Sequence, residues 1–192
     1  MINKKVVFDI DDTLWGLNKQ VCIQTGISYE KIITFSVHEN PLLTEIEKQK
    51  MLAAYGNPEI FKNIKWFKGI ERIMKLKNAD IYLNSNSIND KCSEFKRNQI
   101  HEILDISDDH IIINTVGHKQ NNIIKKTIDK DSYIFIDDSP HNISMSPAKY
   151  NIMIRTPWNQ SESVKAFIKD KRVIFCDNLD QVIDKVEELL KN

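Results

Sequence analysis

Asp9-Ile10-Asp11-Asp12-Thr13-Leu14 follows Lys5-Val6-Val7-Phe8, so a run of strand-forming residues stops at a cluster of carboxylates. A buried parallel strand reads as a continuous apolar run, and open α/β sheets bind ligands beyond the carboxyl ends of their strands. A second run, Tyr133-Ile134-Phe135-Ile136, ends in Asp137-Asp138-Ser139-Pro140. Two such strands suggest one site with four carboxylates, Asp9, Asp11, Asp137 and Asp138, and so much negative charge calls for a divalent cation. Asp9 and Asp11 are two apart, which sends their side chains to the same side of a strand terminus. Phosphoryl transfer needs a nucleophile and a proton donor held side by side. Asp9 is suited to attack phosphorus and form an aspartyl-phosphate; Asp11 is suited to protonate the leaving oxygen and then deprotonate the hydrolytic water. The expected cofactor is Mg²⁺, held by Asp9, Asp138 and the backbone carbonyl of Asp11, with Asp137 as a further ligand or just behind. The bland reading of each cluster is a turn, or a helix cap supplied by Asp12 or Thr13. It loses force because the strand-then-Asp pattern occurs twice.

Two further elements fit the same chemistry. Ile81-Tyr82-Leu83 runs into Asn84-Ser85-Asn86, where the Ser85 hydroxyl and the Asn86 amide can donate to phosphate oxygens at a helix N-terminus. A cation must offset the nucleophile and the phosphate. Lys119, just after the turn at Gly117, is preferred to Lys125 and Lys126, which lie mid-helix where lysine usually faces water.

The elements that must position these residues alternate. Strands are expected at Lys5–Phe8, Asp80–Leu83, His110–Asn114, Ser132–Ile136, Asn151–Ile154 and Arg172–Phe175, with helical patterns at Gly69–Lys77, Asn89–Leu104, Lys119–Asp129 and after an Asn178 cap. This predicts an α/β fold, a Rossmann-like parallel sheet with helices on both faces. Residues 15–66 break the rhythm with two helix-type patterns, around Ser28–Phe35 and from the capping box Thr44-Glu45-Ile46-Glu47. So long an excursion after the first strand predicts a small helical cap at 15–66, with the α/β core at 1–14 and 67–192.

Composition narrows the setting. Lys+Arg and Asp+Glu balance at 27 each, so no net field draws the chain to nucleic acid or an anionic membrane, and stable nucleic-acid binding is not expected. Cys22, Cys92 and Cys176 are scattered and lack metal-ligand spacing, which fits a reduced cytoplasm. No apolar run approaches a membrane span of roughly 20 residues, and the apolar residues of the opening MINKKVVFDID belong to the first strand. A homodimer is left open.

The four elements, each at a strand end and in this order, resemble the haloacid dehalogenase-like phosphohydrolase superfamily. There the first motif is DxDx[TV], the second a Ser or Thr after a strand, the third a Lys and the fourth an acidic pair. Asp9, Asp11, Ser85, Lys119, Asp137 and Asp138 are the matching positions, and a second Asp at position 11 is the pattern of its phosphatases and mutases. Within it the 5'(3')-deoxyribonucleotidases are similar in Asn78–Leu83, Phe135–Asn142 and Ile154-Arg155-Thr156-Pro157-Trp158-Asn159. Asp12 stands where that family usually has Gly, Ser85-Asn86 where it has Thr-Ser, and Ser139 where an Arg often follows the acidic pair. The resemblance implies a nucleoside monophosphate as substrate. Of the aromatics Trp15, Tyr29, Phe35, Tyr55, Phe61, Trp66 and Phe67, the two that flank the cap, Trp15 and Trp66, are the expected base-stacking residues. Competing readings are a phosphatase for another small ester or a polynucleotide end, a phosphoacceptor switch, and a binding module with a dead site. A switch needs no helical cap and carries its acceptor on a middle strand.

Overall fold

The structure, a computed structural model, describes residues 3–115, 132–162, 164 and 173–191. Its centre is strand β1 (Lys4–Asp9), whose Val6, Val7 and Phe8 are fully buried. Burying each such side chain contributes roughly 1.5–3 kcal/mol, which is why the most apolar run takes the middle of the sheet. The other strands are β2 (Ala79–Ser87), β3 (Ile111–Thr115), β4 (Ser132–Asp137), β5 (Tyr150–Ile154) and β6 (Val173–Cys176), in the order β3-β2-β1-β4-β5-β6. Every neighbouring pair is parallel. The fold is therefore α/β and Rossmann-like.

Alternation along β1 divides the core. Val6 and Phe8 face a large cluster with Ile100 of helix α3 (Asp90–Ile103) and Val182, Ile183 and Val186 of helix α5 (Leu179–Leu190). Val7 faces the opposite side, with Phe135, Met153 and Ile143 of the short helix α4 (Pro140–Met145). Asn178 caps α5 as expected, accepting from the Gln181 amide at 3.0 Å. Arg72 ties the same helix to the segment before β2, through Asp180 at 3.1 Å and Asp184 at 2.5 Å. That segment, Ile70–Lys75, is a 3-10 helix where an α-helical pattern was expected.

The chain leaves the sheet and returns through a short stem. Trp15 and Trp66 form an antiparallel bridge, the Phe67 amide donates to the Leu14 carbonyl at 2.8 Å and the Gly16 amide to the Lys65 carbonyl at 3.2 Å. Between the two arms lie helix α1 (Leu17–Thr25), helix α2 (Glu45–Tyr55) and a 3-10 helix at Pro58–Asn63. The Thr44 capping box is present at α2: the Glu47 amide donates to Thr44 Oγ1 at 3.3 Å and the Thr44 amide to Glu47 Oε2 at 2.8 Å. The pattern at Ser28–Phe35 yields only one 3-10 turn, Tyr29–Lys31. α1 went unforeseen because its buried side is narrow (Leu17, Val21, Cys22) while Ile23 points to water. No helix among the described residues is long and apolar enough to cross a membrane.

Candidate active site

β1 and β4 are hydrogen-bonded neighbours, so their carboxyl ends deliver Asp9, Asp137 and Asp138 to one spot. Each offers a carboxylate oxygen, and these oxygens lie within 4.8 Å of one another. Asp137 is held by the Ser139 amide at 2.6 Å and Asn142 Nδ2 at 2.9 Å. Asp138 accepts from Trp158 Nε1 at 2.7 Å, while Asn159 Nδ2 donates to the Asp138 carbonyl at 2.9 Å and the Ile154 carbonyl at 2.8 Å. The Thr156–Asn159 turn after β5 thus fixes Asp138, while Asp137 is held from the start of α4.

These groups share a cost. Burial, then the charges of Asp137, Asp138 and Asp11, pushes the Asp9 carboxyl well above the ordinary range, with Lys96 opposing. Burial followed by the neighbouring Asp137 does the same to Asp138. Asp137 is pushed up to about 7 by burial, against the pull of the Ser139 amide and Asn142. Oxygen donors this close, whose charged forms are opposed by burial and by one another, suit a hard divalent cation such as Mg²⁺, which would favour their ionised forms.

Asp11 stands apart from that trio. Three donors hold it: Trp15 Nε1 at 2.8 Å, Ser85 Oγ at 2.8 Å and Lys96 Nζ. Lys96 is 2% exposed, and its ammonium also reaches Ser85 Oγ at 2.8 Å and the Asn86 carbonyl at 2.6 Å. It is the one cation bonded to a carboxylate of the site among the described residues. Lys119, Lys125 and Lys126 lie outside the described residues. A signal for Lys96 exists in the sequence: Cys92, Lys96 and Ile100, four apart, form the buried stripe of α3, with a lysine at its centre.

Asp12 is buried with φ of 57°, in the left-handed region that costs a non-glycine residue roughly 1–2 kcal/mol. Burial pushes its carboxyl up to about 8, with the Asn18 amide opposing. The helix-cap alternative for Asp12 is physically present, since it accepts from the Asn18 amide at the start of α1. That does not compete with the acid site, because Asp12 also lines its cavity.

A cavity of about 220 Å³ opens on Asp9, Asp11, Asp137 and Asp138, walled by Leu17, Asn18, Phe35, Val37 and Tyr55 from the 16–65 segment. Asn86 and Asn142 complete it from the sheet side. Trp15 and Trp66 are not among its walls. Their ring centroids are 4.7 Å apart, and Trp15 is fully buried with its indole N–H committed to Asp11. The aromatic that faces the cavity and remains 60% exposed is Phe35. Phe35 is among the aromatics that the sequence offers, at the end of the Ser28–Phe35 pattern, but it stands on the loop between α1 and α2, where that pattern does not say which way its ring faces.

No family model matches the sequence, and no curated protein matches it. Solved structures do resemble it. A haloacid dehalogenase-like family protein from Streptococcus pneumoniae superposes with a TM-score of 0.60 at 11% identity, covering 96% of this chain and 98% of that one. A hydrolase from Pseudomonas syringae gives 0.58 at 10% identity, over 97% and 98%. A phospho-aspartyl intermediate analogue of phosphoserine phosphatase gives 0.56 at 16% identity, over 96% and 99%. At such identities the likeness is one of architecture, and this chain has the fold of the haloacid dehalogenase-like hydrolases.

Proposed function

We propose that the protein is a Mg²⁺-dependent phosphomonoesterase working through an aspartyl-phosphate on Asp9, with a nucleoside monophosphate as its substrate. The observation that carries this reading is the convergence of Asp9, Asp137 and Asp138 within 4.8 Å at adjacent parallel strand ends. Asp9, Asp138, the Asp11 carbonyl and Asp137 would hold the metal. Bound there, Mg²⁺ supplies charge neutralisation to the phosphoryl oxygens.

The chain's own groups perform the rest. An Asp9 oxygen attacks phosphorus, and the bond from phosphorus to the ester oxygen breaks opposite to it. Asp11 gives its proton to that leaving oxygen, then takes one from the water that cleaves the aspartyl-phosphate. Ser85 Oγ and Lys96 Nζ, which now engage Asp11, are the donors that an arriving phosphate competes for. Transfer of those donors to phosphate frees an Asp11 oxygen for its turn as acid. The Asn86 amide is a further donor to the phosphate.

The leaving group then lies toward the 16–65 segment, which we read as the cap. Phe35 takes the base-stacking role that the sequence alone suggested for Trp15 and Trp66. Stacking contributes roughly 0.5–1.5 kcal/mol beyond burial, about a tenfold preference at most. The test is a hydrolysis panel of nucleoside monophosphates, sugar phosphates and p-nitrophenyl phosphate with Mg²⁺, repeated on Phe35→Ala. A nucleotide preference that Phe35→Ala reduces supports the reading. A preferred sugar phosphate, unmoved by the substitution, removes the nucleotide and leaves the phosphatase.

A further inference from the structure

Asp12 adopts a left-handed backbone conformation that glycine would hold without the hindrance of a Cβ, and that Asp can hold when its side chain is engaged in hydrogen bonds. The residue is 6% exposed and its carboxylate is turned toward one partner. Asn18 donates to it from the backbone amide, at 3.1 and 3.3 Å to the two oxygens, and from Nδ2 at 2.7 Å. Asn18 is the second residue of α1, and the N-cap position of that helix, Gly16, has no side chain to offer. Asp12 therefore reaches across six positions to satisfy an amide at the positive end of the helix.

The contact continues. Asn18 Oδ1 accepts from the Tyr55 hydroxyl at the end of α2. There the chain meets α3, where Cys92 Sγ donates to the Tyr55 carbonyl at 3.7 Å and Asn89 Nδ2 to the Gly56 carbonyl at 2.9 Å. One turn beyond Cys92, the same helix carries Lys96, which holds Asp11. Asp12, Asn18, Tyr55, α3, Lys96 and Asp11 thus make a closed ring of contacts, and Asp11, Asp12, Asn18 and Tyr55 all line the cavity.

We propose that Asp12 is a positioning residue: through Asn18 and Tyr55 it latches the 16–65 segment over the cavity and sets the enclosure that the leaving group meets. The activity arm rests on the phosphatase reading above; the latch itself does not. A small ester has little to gain from the enclosure, whereas a substrate with a large leaving group depends on it.

The experiment compares wild type, Asp12→Gly, Tyr55→Phe and the double variant. Asp12→Gly keeps the left-handed backbone, so its fold is expected to persist. Its kcat/KM for a nucleoside monophosphate should fall roughly tenfold to a hundredfold, the scale of a misplaced substrate, while p-nitrophenyl phosphate changes much less. Tyr55→Phe should repeat the pattern, and the double variant should be no worse than the more damaged single one, because both break one chain of contacts. Amide hydrogen exchange gives a readout independent of turnover: Asp12→Gly should speed exchange in 17–55 and leave β1 and β4 protected. Unchanged exchange in 17–55 overturns the latch, as do equal losses on both esters or additive effects in the double variant. A wild type inactive on every ester, with faster exchange in Asp12→Gly, would refute the phosphatase reading and retain the latch.

Discussion

Replacing Lys96 by methionine keeps the length of the stem and removes the ammonium that touches Asp11, Ser85 Oγ and the Asn86 carbonyl. Breaking a buried ion pair from one side generally costs 3–5 kcal/mol, because the remaining charge is left without its partner. Here Asp11 is 22% exposed and keeps Trp15 and Ser85 as donors, so a loss near the lower limit, about 3 kcal/mol, is expected. For a chain of 192 residues that is a fall in Tm of roughly 6–12 °C. The effect on turnover is separate and larger than the fold alone would give. An electrostatic donor aimed at developing charge supplies about 10²–10³ in rate, so kcat/KM with saturating Mg²⁺ should drop by that factor at a temperature where the variant is fully folded. Lys96→Arg should not rescue it, since a planar fork does not fit a pocket built around a point charge. Thermal denaturation and steady-state kinetics on the same preparation separate the two effects. A folded Lys96→Met with wild-type kcat/KM would refute the reasoning.

Lys119, the cation that the sequence favoured, lies outside the described residues, so its alanine variant is the comparison: a larger loss of activity in Lys119→Ala than in Lys96→Met would assign the phosphate's cation to Lys119. Activity should vanish with chelator, and Asp138→Ala should disturb the Mg²⁺ dependence more than Asp137→Ala, as read from metal titrations of initial rate. The raised carboxyls of Asp9, Asp12, Asp137 and Asp138 fix the sign of a pH effect on the metal-free protein. Between the unfolded value near 4 and folded values of about 7 and 8 for Asp137 and Asp12, the folded state binds more protons. Stability should therefore fall as pH rises through that window, and Mg²⁺ should raise Tm more at pH 8 than at pH 5. A Tm independent of pH, or rising with it, would contradict this. Trp15→Phe keeps an aromatic ring against Trp66 but removes the indole N–H from Asp11, so it should lower kcat more than KM.

The strands were legible because a parallel sheet buried on both faces leaves near-continuous apolar runs, and all six stand within a few residues of where those runs lie. The acids were legible because they terminate such runs. The residues that serve them were not. Lys96 lies inside the expected helix Asn89–Leu104 and was given no role, although its neighbours at four-residue spacing are buried. Trp158 and Asn159 showed only as an aromatic-Asn turn; that they grip Asp138 depends on β5 lying beside β4. Phe35 was named among the aromatics, but the helical pattern expected at Ser28–Phe35 forms only one 3-10 turn and leaves it in a loop, so the face of its ring could not be read. Trp15 and Trp66 flank the segment as expected, yet their position at a two-strand stem pairs the rings with each other.

The central claim is that Asp9 becomes covalently phosphorylated. Protein turning over substrate with Mg²⁺ is treated with borohydride, which reduces an acyl phosphate to the alcohol, and the peptide covering β1 is sequenced by mass spectrometry. Homoserine at position 9, dependent on substrate and metal and missing from Asp9→Asn, is the predicted result. Turnover with Asp9 unmodified, or with the label at Asp137 or Asp138 instead, would contradict the account.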